Sequence, residues 1–188
     1  TAIRSWFTAR VIPSSSSLFG NGRRDMSSHS PAYPTTSSDR LRARSRSGES
    51  SDEGFVVKFL LDTDTCIYAL KQDPNVLHEL LSKEREDIVV SVLTEAELRT
   101  GAAKSSSPIK TLRLIENFLR PLALADFTSD DAVAYAQVRA RLERAGTPIG
   151  PLDTLIASQA VARKLTLVSN NEREFRRVAG LTVENWAR

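Results

Sequence analysis

The stretch Phe55-Val56-Val57-Lys58-Phe59-Leu60-Leu61-Asp62-Thr63-Asp64 decides the fold. Up to Leu61 it is apolar except for Lys58, too short for an independent helix and built from residue types that fill buried strands. A strand apolar on both faces belongs inside a parallel sheet covered by helices. The chain beyond it alternates as such a sheet requires. Residues 74–81 carry Val76, Leu77, Leu80 and Leu81 on one helical stripe, and residues 88–93 read as the next strand. Thr94 opens a helix to about residue 103, and Pro108 opens another that carries Leu112, Ile115 and Leu119. Residues 122–127 read as a strand, followed by a long helix, capped by Thr128 or Ser129, to about residue 145. A Gly- and Pro-punctuated loop over residues 146–151 leads into a helix over 152–163. Residues 165–168 and 181–183 complete the strands. The pattern predicts an α/β fold, three layers α/β/α around a central, mainly parallel sheet.

The 188 residues hold 26 Lys and Arg against 23 Asp and Glu, with 40% hydrophobic and 26% charged residues. These values suit a globular protein and exclude collagen-like and wholly disordered classes. No run approaches the roughly 18 apolar residues of a membrane-spanning helix. The single cysteine, Cys66, excludes an internal disulfide framework and a Cys-rich zinc site, and a reducing, cytoplasmic setting is expected. The net charge of +3 sits in the first 54 residues, which hold eight Arg, no Lys and five acids; residues 55–188 are neutral. The sequence pI of 9.2 therefore describes the tail and does not mark the remainder as a basic nucleic-acid binder. Residues 1–54 are rich in Ser, Arg and Pro and show no apolar period, so they are expected to be a disordered tail. A transit peptide, or a start assigned too far upstream, are the other readings of that segment. Residues 55–188 are expected to form one domain.

In parallel sheets, ligand sites collect at the carboxyl ends of the strands. Asp62 and Asp64 follow the first strand, and Glu97 comes one helical turn after the second. Ser169, Asn170, Asn171 and Glu174 follow the strand at 165–168, and Asp153 opens the helix before it. Each carboxylate has an ordinary explanation. Asp62 suits an Asx-type turn. Thr94 to Glu97 fits a capping box with Leu93 and Leu98 as its staple. Asp153 suits a first helical turn, and Glu174 suits a solvated charge beside Arg173 and Arg176. Together, though, they crowd one edge, where carboxylates repel unless something positive lies between them. Ligands that are all oxygen suit Mg²⁺ or Mn²⁺ rather than zinc. A carboxylate-held metal that activates water points to phosphodiester hydrolysis. Of the two histidines, His29 lies in the tail and His78 has no serine motif around it, so no Ser/His/Asp arrangement competes. No Gly-rich phosphate loop is present.

The motifs also carry a resemblance. Residues 59–67, Phe-Leu-Leu-Asp-Thr-Asp-Thr-Cys-Ile, resemble the opening strand of PIN-domain nucleases of the VapC type, the toxins of toxin–antitoxin pairs. Ser-Val-Leu-Thr-Glu-Ala-Glu-Leu-Arg-Thr-Gly-Ala at 91–102 resembles the second motif, and Gly-Thr-Pro-Ile-Gly-Pro-Leu-Asp-Thr-Leu-Ile-Ala at 146–157 the third. Leu-Val-Ser-Asn-Asn at 167–171, with Arg173-Glu174-Phe175 and Glu184-Asn185-Trp186, is similar to the C-terminal end. The resemblance runs from about Val57 to Trp186 and leaves the tail out. It implies a PIN-like fold and a Mg²⁺-dependent endoribonuclease, with Mn²⁺ able to substitute, leaving 5′-phosphate and 3′-hydroxyl ends. Asp62 and Asp153 match the principal metal-binding aspartates, Glu97 the glutamate of the second motif, and Glu174 the last acid. Ser169 and Asn171 match the polar residues beside it. Asp64 departs from the pattern, which commonly has Asn there. The resemblance also implies an RNA substrate, a cognate antitoxin and a homodimer, with no membrane.

Two alternatives stand beside this reading. Asp62-Thr63-Asp64 after an apolar strand also fits a haloacid-dehalogenase-type phosphatase, though no late Gly-Asp-x-x-x-Asp motif follows. A PIN fold that only docks a partner would have no reason to keep all four acids. Arg99, Lys104, Arg139, Arg141 and Arg144 are candidates for lining an RNA groove, or else a solvated face.

Overall fold

The computed structural model describes residues 57–188. The tail, and the boundary expected after residue 54, lie outside the described residues. Five strands form one sheet in the order β3-β2-β1-β4-β5. These are β1 (Phe59–Leu61), β2 (Ile88–Ser91), β3 (Ala123–Ala125), β4 (Thr166–Val168) and β5 (Thr182–Glu184). All four pairings are parallel, with Leu61 opposite Val90 on one side and Val168 on the other. The helices are α1 (Thr63–Leu70), α2 (Pro74–Ser82), α3 (Val92–Ala103), α4 (Pro108–Leu119), α5 (Ser129–Arg144), α6 (Pro151–Arg163) and the single turn α7 (Glu172–Phe175). None is long and apolar enough to cross a membrane.

Side-chain alternation along β1 makes the three layers. Leu61 packs with Cys66, Val76, Leu98, Ile115, Phe118 and Trp186 on one face. Its neighbour Leu60 packs with Val138, Leu142, Ile156, Ala160 and Phe175 on the other. Both leucines are fully buried, each worth about 1.5–3 kcal/mol of transfer free energy. A central strand buried on both faces requires this composition, which is why the apolar run around β1 reads so clearly.

The structure differs from the sequence pattern at three junctions. The chain turns into α1 directly after β1, where no helix is expected. Thr63, Thr65 and Ile67 are β-branched and Asp64 is a weak helix former, so local propensity is poor. Tertiary contacts decide instead: Thr65 Oγ1 donates to the Val168 carbonyl at 2.9 Å, and Cys66 and Ala69 are fully buried. The second junction lies at residues 88–93. The strand stops at Ser91, whose Oγ accepts from the Leu93 amide at 3.1 Å and caps α3. Val92 and Leu93 extend the apolar run but lie in the helix. The capping box expected at Thr94 to Glu97 is therefore absent, and Thr94 sits inside α3, donating to the Leu61 carbonyl at 3.4 Å. The third is α7, a turn too short to show a period.

Helices α5 and α6 are clamped at one end. Arg163, ending α6, reaches Asp131 in the first turn of α5 through Nε at 3.1 Å and Nη2 at 2.7 Å. Asp131 is 1% exposed and also accepts from the Thr128 amide at 2.7 Å. Removing it takes the acceptor from the Thr128 amide and from Arg163 Nε, leaving Arg163 only the Asp126 carbonyl. Asp131→Ala is expected to lower stability by about 2–4 kcal/mol in urea unfolding. A loss under about 0.5 kcal/mol, the range of an ordinary surface change, would show that the clamp is incidental.

Candidate active site

Asp62 is the residue at which β1 ends. Its amide donates to the Val168 carbonyl at 3.0 Å, so the β1–β4 ladder carries through it. The side chain is 4% exposed and occupies the N-cap position of α1 without making the side-chain cap. Its Oδ2 accepts instead from Ser169 Oγ at 2.7 Å, and that oxygen in turn accepts from the Asn171 amide at 3.0 Å. Ser169 is fully buried. The relay runs from amide to hydroxyl to carboxylate, and it fixes the Asp62 rotamer. Asn171 joins it through its backbone rather than its side chain.

The other acids come from neighbouring elements. Asp64 lies in the first turn of α1, Glu97 in α3, Asp153 in the first turn of α6 and Glu174 in α7. All four are half-buried. Glu97 Oε2 accepts from Thr63 Oγ1 at 2.6 Å, a contact no local sequence pattern announces. Asp153 sits close over Gly150, where a Cβ would lie 2.8 Å from its Oδ2. Glycine there leaves the carboxylate its room.

Electrostatics tie the five into one group. Burial pushes the Asp62 carboxyl up to about 6; the Ser169 hydroxyl and Thr63 amide oppose this, while Asp64 and Asp153 add to it. The Asp153 carboxyl is raised by burial first, then by Glu174, Glu97 and Asp64. Among the described residues no cation pairs with any of them. Several nearby arginines are engaged elsewhere. Arg99, two residues after Glu97, binds Glu95 at 2.7 Å and Glu116 at 3.6 Å. Arg176 pairs with Glu172 rather than Glu174, and Arg188 joins it at 3.0 Å. Arg139 binds Glu143 and the Tyr135 hydroxyl, and Lys104, Arg141 and Arg144 are exposed. Across the described residues, the acids do not close into a preformed metal cage, as befits like charges with nothing positive between them.

The acids thus come from four segments at the carboxyl edge of a parallel sheet, and the chain as a whole matches a known family. The PIN domain family model matches residues 59–181. The chain is 40% identical over 131 residues to the tRNA(fMet)-specific endonuclease VapC of Salmonella typhimurium, covering 70% of this chain and 99% of that protein. It is 38% identical over 131 residues to ribonuclease VapC2 of Rickettsia felis, covering 68% and 97%. The DNA-bound VapBC structure from Salmonella typhimurium is similar with a TM-score of 0.66 at 40% identity, covering 69% of this chain and 98% of that one. The chain belongs to the PIN-domain family. Within it, the chain is an endoribonuclease of the VapC kind, the toxin of a toxin–antitoxin pair. The phosphatase and docking-module readings find no support in these likenesses.

Two expectations follow from the geometry. The Asp62 value lies above the ordinary 3.8, so its contribution to stability is full below about pH 4 and is lost as pH rises through about 6. The loss amounts to roughly 3 kcal/mol. Asp62→Asn keeps an acceptor for Ser169 and removes the charge. Without added metal ions, it is expected to unfold at higher urea than the parent at pH 7, with the gap closing towards pH 4. Parallel pH profiles would remove Asp62 as the source. Gly150→Ala is expected to cut RNA cleavage at least tenfold with little change in unfolding, because the added methyl displaces Asp153; full activity would show that the carboxylate has slack.

Proposed function

We propose that Asp62 and Asp153, within the cluster of five carboxylates, hold a divalent cation, Mg²⁺ or in its place Mn²⁺, and that the protein uses it to hydrolyse phosphodiester bonds in RNA. The observation that carries this is the cluster itself: acids gathered at one edge, two with raised proton affinity, and, among the described residues, no cation paired to them. Their donors are all oxygen, which suits a hard cation. Asp62 and Asp153 hold it. When bound, it offsets the negative charge that develops on the scissile phosphate. Glu97 and Glu174 orient the attacking water and take its proton. Ser169 keeps Asp62 turned inward, so that one carboxylate oxygen is already fixed before substrate arrives. Asp64 adds charge to the rim without being required.

The relatives support the nearer biology. Likeness to a tRNA(fMet)-specific endonuclease makes a tRNA the substrate to test first. Likeness to VapBC complexes supports a cognate antitoxin as partner. A basic side chain of that antitoxin, Arg above all, is suited to pair with Asp62, Glu97 and Asp153 in place of the cation. A homodimer and a cytoplasmic setting complete the reading.

The test is RNA cleavage by the full chain. It should require Mg²⁺ or Mn²⁺ and stop with EDTA; undiminished cleavage in chelator would overturn the metal mechanism. Asp62→Asn and Glu97→Gln should lower the rate by orders of magnitude with the fold intact, while Asp64→Asn keeps most of it. Equal, complete loss at positions 62 and 64 would instead favour Asp-x-Asp phosphatase chemistry.

A further inference from the structure

Thr63 lies between Asp62 and Asp64, and its side chain leaves them to reach α3. Its Oγ1 stands 2.6 Å from Glu97 Oε2, across 34 residues of sequence. An ionised carboxylate only accepts, so Thr63 donates. The spacing is that of a charge-assisted O–H···O⁻ bond. Among the described residues no other side chain hydrogen-bonds Glu97. A free glutamate on a helix surface samples many rotamers, and ordering it costs on the order of 1–2 kcal/mol. Thr63 is itself anchored, because Asp62 before it hydrogen-bonds the sheet and Thr65 after it donates to Val168.

We infer that Thr63 is a positioning residue for the hydrolysis: it pins Glu97 Oε2 and presents Oε1 alone to the acid cluster. The inference rests on the metal-dependent nuclease reading above. The hydroxyl is not needed to join α1 to α3, since Cys66, Ala69, Leu98 and Ala102 already pack together there, each at most 4% exposed. Thr63 therefore acts on the direction of one carboxylate. A partner of this kind, behind a group that serves a metal, typically carries 10–100-fold in metal affinity or activity.

The experiment uses the full chain with Thr63→Val, which keeps the shape and loses the proton, and Thr63→Ser, which keeps the proton. Two quantities are read: the Mg²⁺ dependence of RNA cleavage, and the rise in melting temperature that Mg²⁺ produces without RNA. Thr63→Val should fold, lower kcat or raise the half-saturating Mg²⁺ by about 10–100-fold in total, and shrink the Mg²⁺-induced rise. Thr63→Ser should recover most of both. On a Glu97→Ala background, Thr63→Val should change the Mg²⁺-induced rise no further, because the two act as one unit. Wild-type behaviour in Thr63→Val, or equal damage in Thr63→Ser, overturns the inference. If Thr63→Val does not fold, Thr63→Ala is read in its place, and unfolding of both also overturns it, because the hydroxyl would then be holding the fold. Asp62→Asn separates the two levels. Loss of cleavage and of the Mg²⁺ response there, with Thr63→Val unaffected, sinks only the role of Thr63. Retention of both in Asp62→Asn sinks the reading beneath it.

Discussion

A carboxylate buried at the end of the central strand constrains everything around it. Asp62 is 4% exposed, and its ionised form loses hydration that no cation among the described residues replaces. What it receives is neutral: a hydroxyl from Ser169 and the amide of Thr63. Neutral donors fix the direction of a charge without cancelling it. The same economy recurs at Glu97, held by a threonine, and at Asp153, given space by a glycine. The negative field of the cluster thus stays open to a positive visitor, which the proposed function supplies.

Elsewhere the chain treats its acids differently. Asp131 is buried still more deeply and is neutralised on the spot by Arg163. Glu172 lies one turn from the cluster and takes Arg176 and Arg188. Two acids of one short helix, Glu172 and Glu174, therefore meet opposite fates. The first fastens the C-terminal end of the chain; the second faces the site and, among the described residues, has no ion pair. Arginine stands near Glu174 at positions 173 and 176, so this follows from the direction of the side chains rather than from any shortage of cations.

Much of this was readable from the residues because strands β1, β2 and β4 are buried on both faces and so nearly uniformly apolar. The positions of Asp62 and of the group after Val168 follow directly from where those runs stop. The run at 88–93 misled, because a helix that begins in the core starts with apolar residues too, and Val92 and Leu93 continued the strand's pattern past its end. The α1 helix was invisible for the opposite reason: Thr63 to Ile67 disfavour a helix, and the contacts that impose one lie more than a hundred residues away at Val168. The Thr63–Glu97 bond was hidden likewise, since no periodicity links residues 34 apart. The ordinary explanations of single acids weakened once partners were visible. Thr94 does not cap α3, and of the two arginines near Glu174 in sequence, Arg176 is bound to Glu172.

The sheet order has a consequence for how the protein comes into being. Ser169 and Asp62 touch across 107 residues of chain, and β4, which completes the central strand's pairing, is the fourth of five strands in sequence. A ribosome building the chain from its N-terminus makes Asp62 and Glu97 well before it makes Ser169 and Glu174, with Asp153 following late. Until then β1 is an edge strand, with one side unpaired and its terminal carboxylate lacking the hydroxyl that turns it inward. The acid cluster is therefore among the last parts of the fold to be completed as the chain is built.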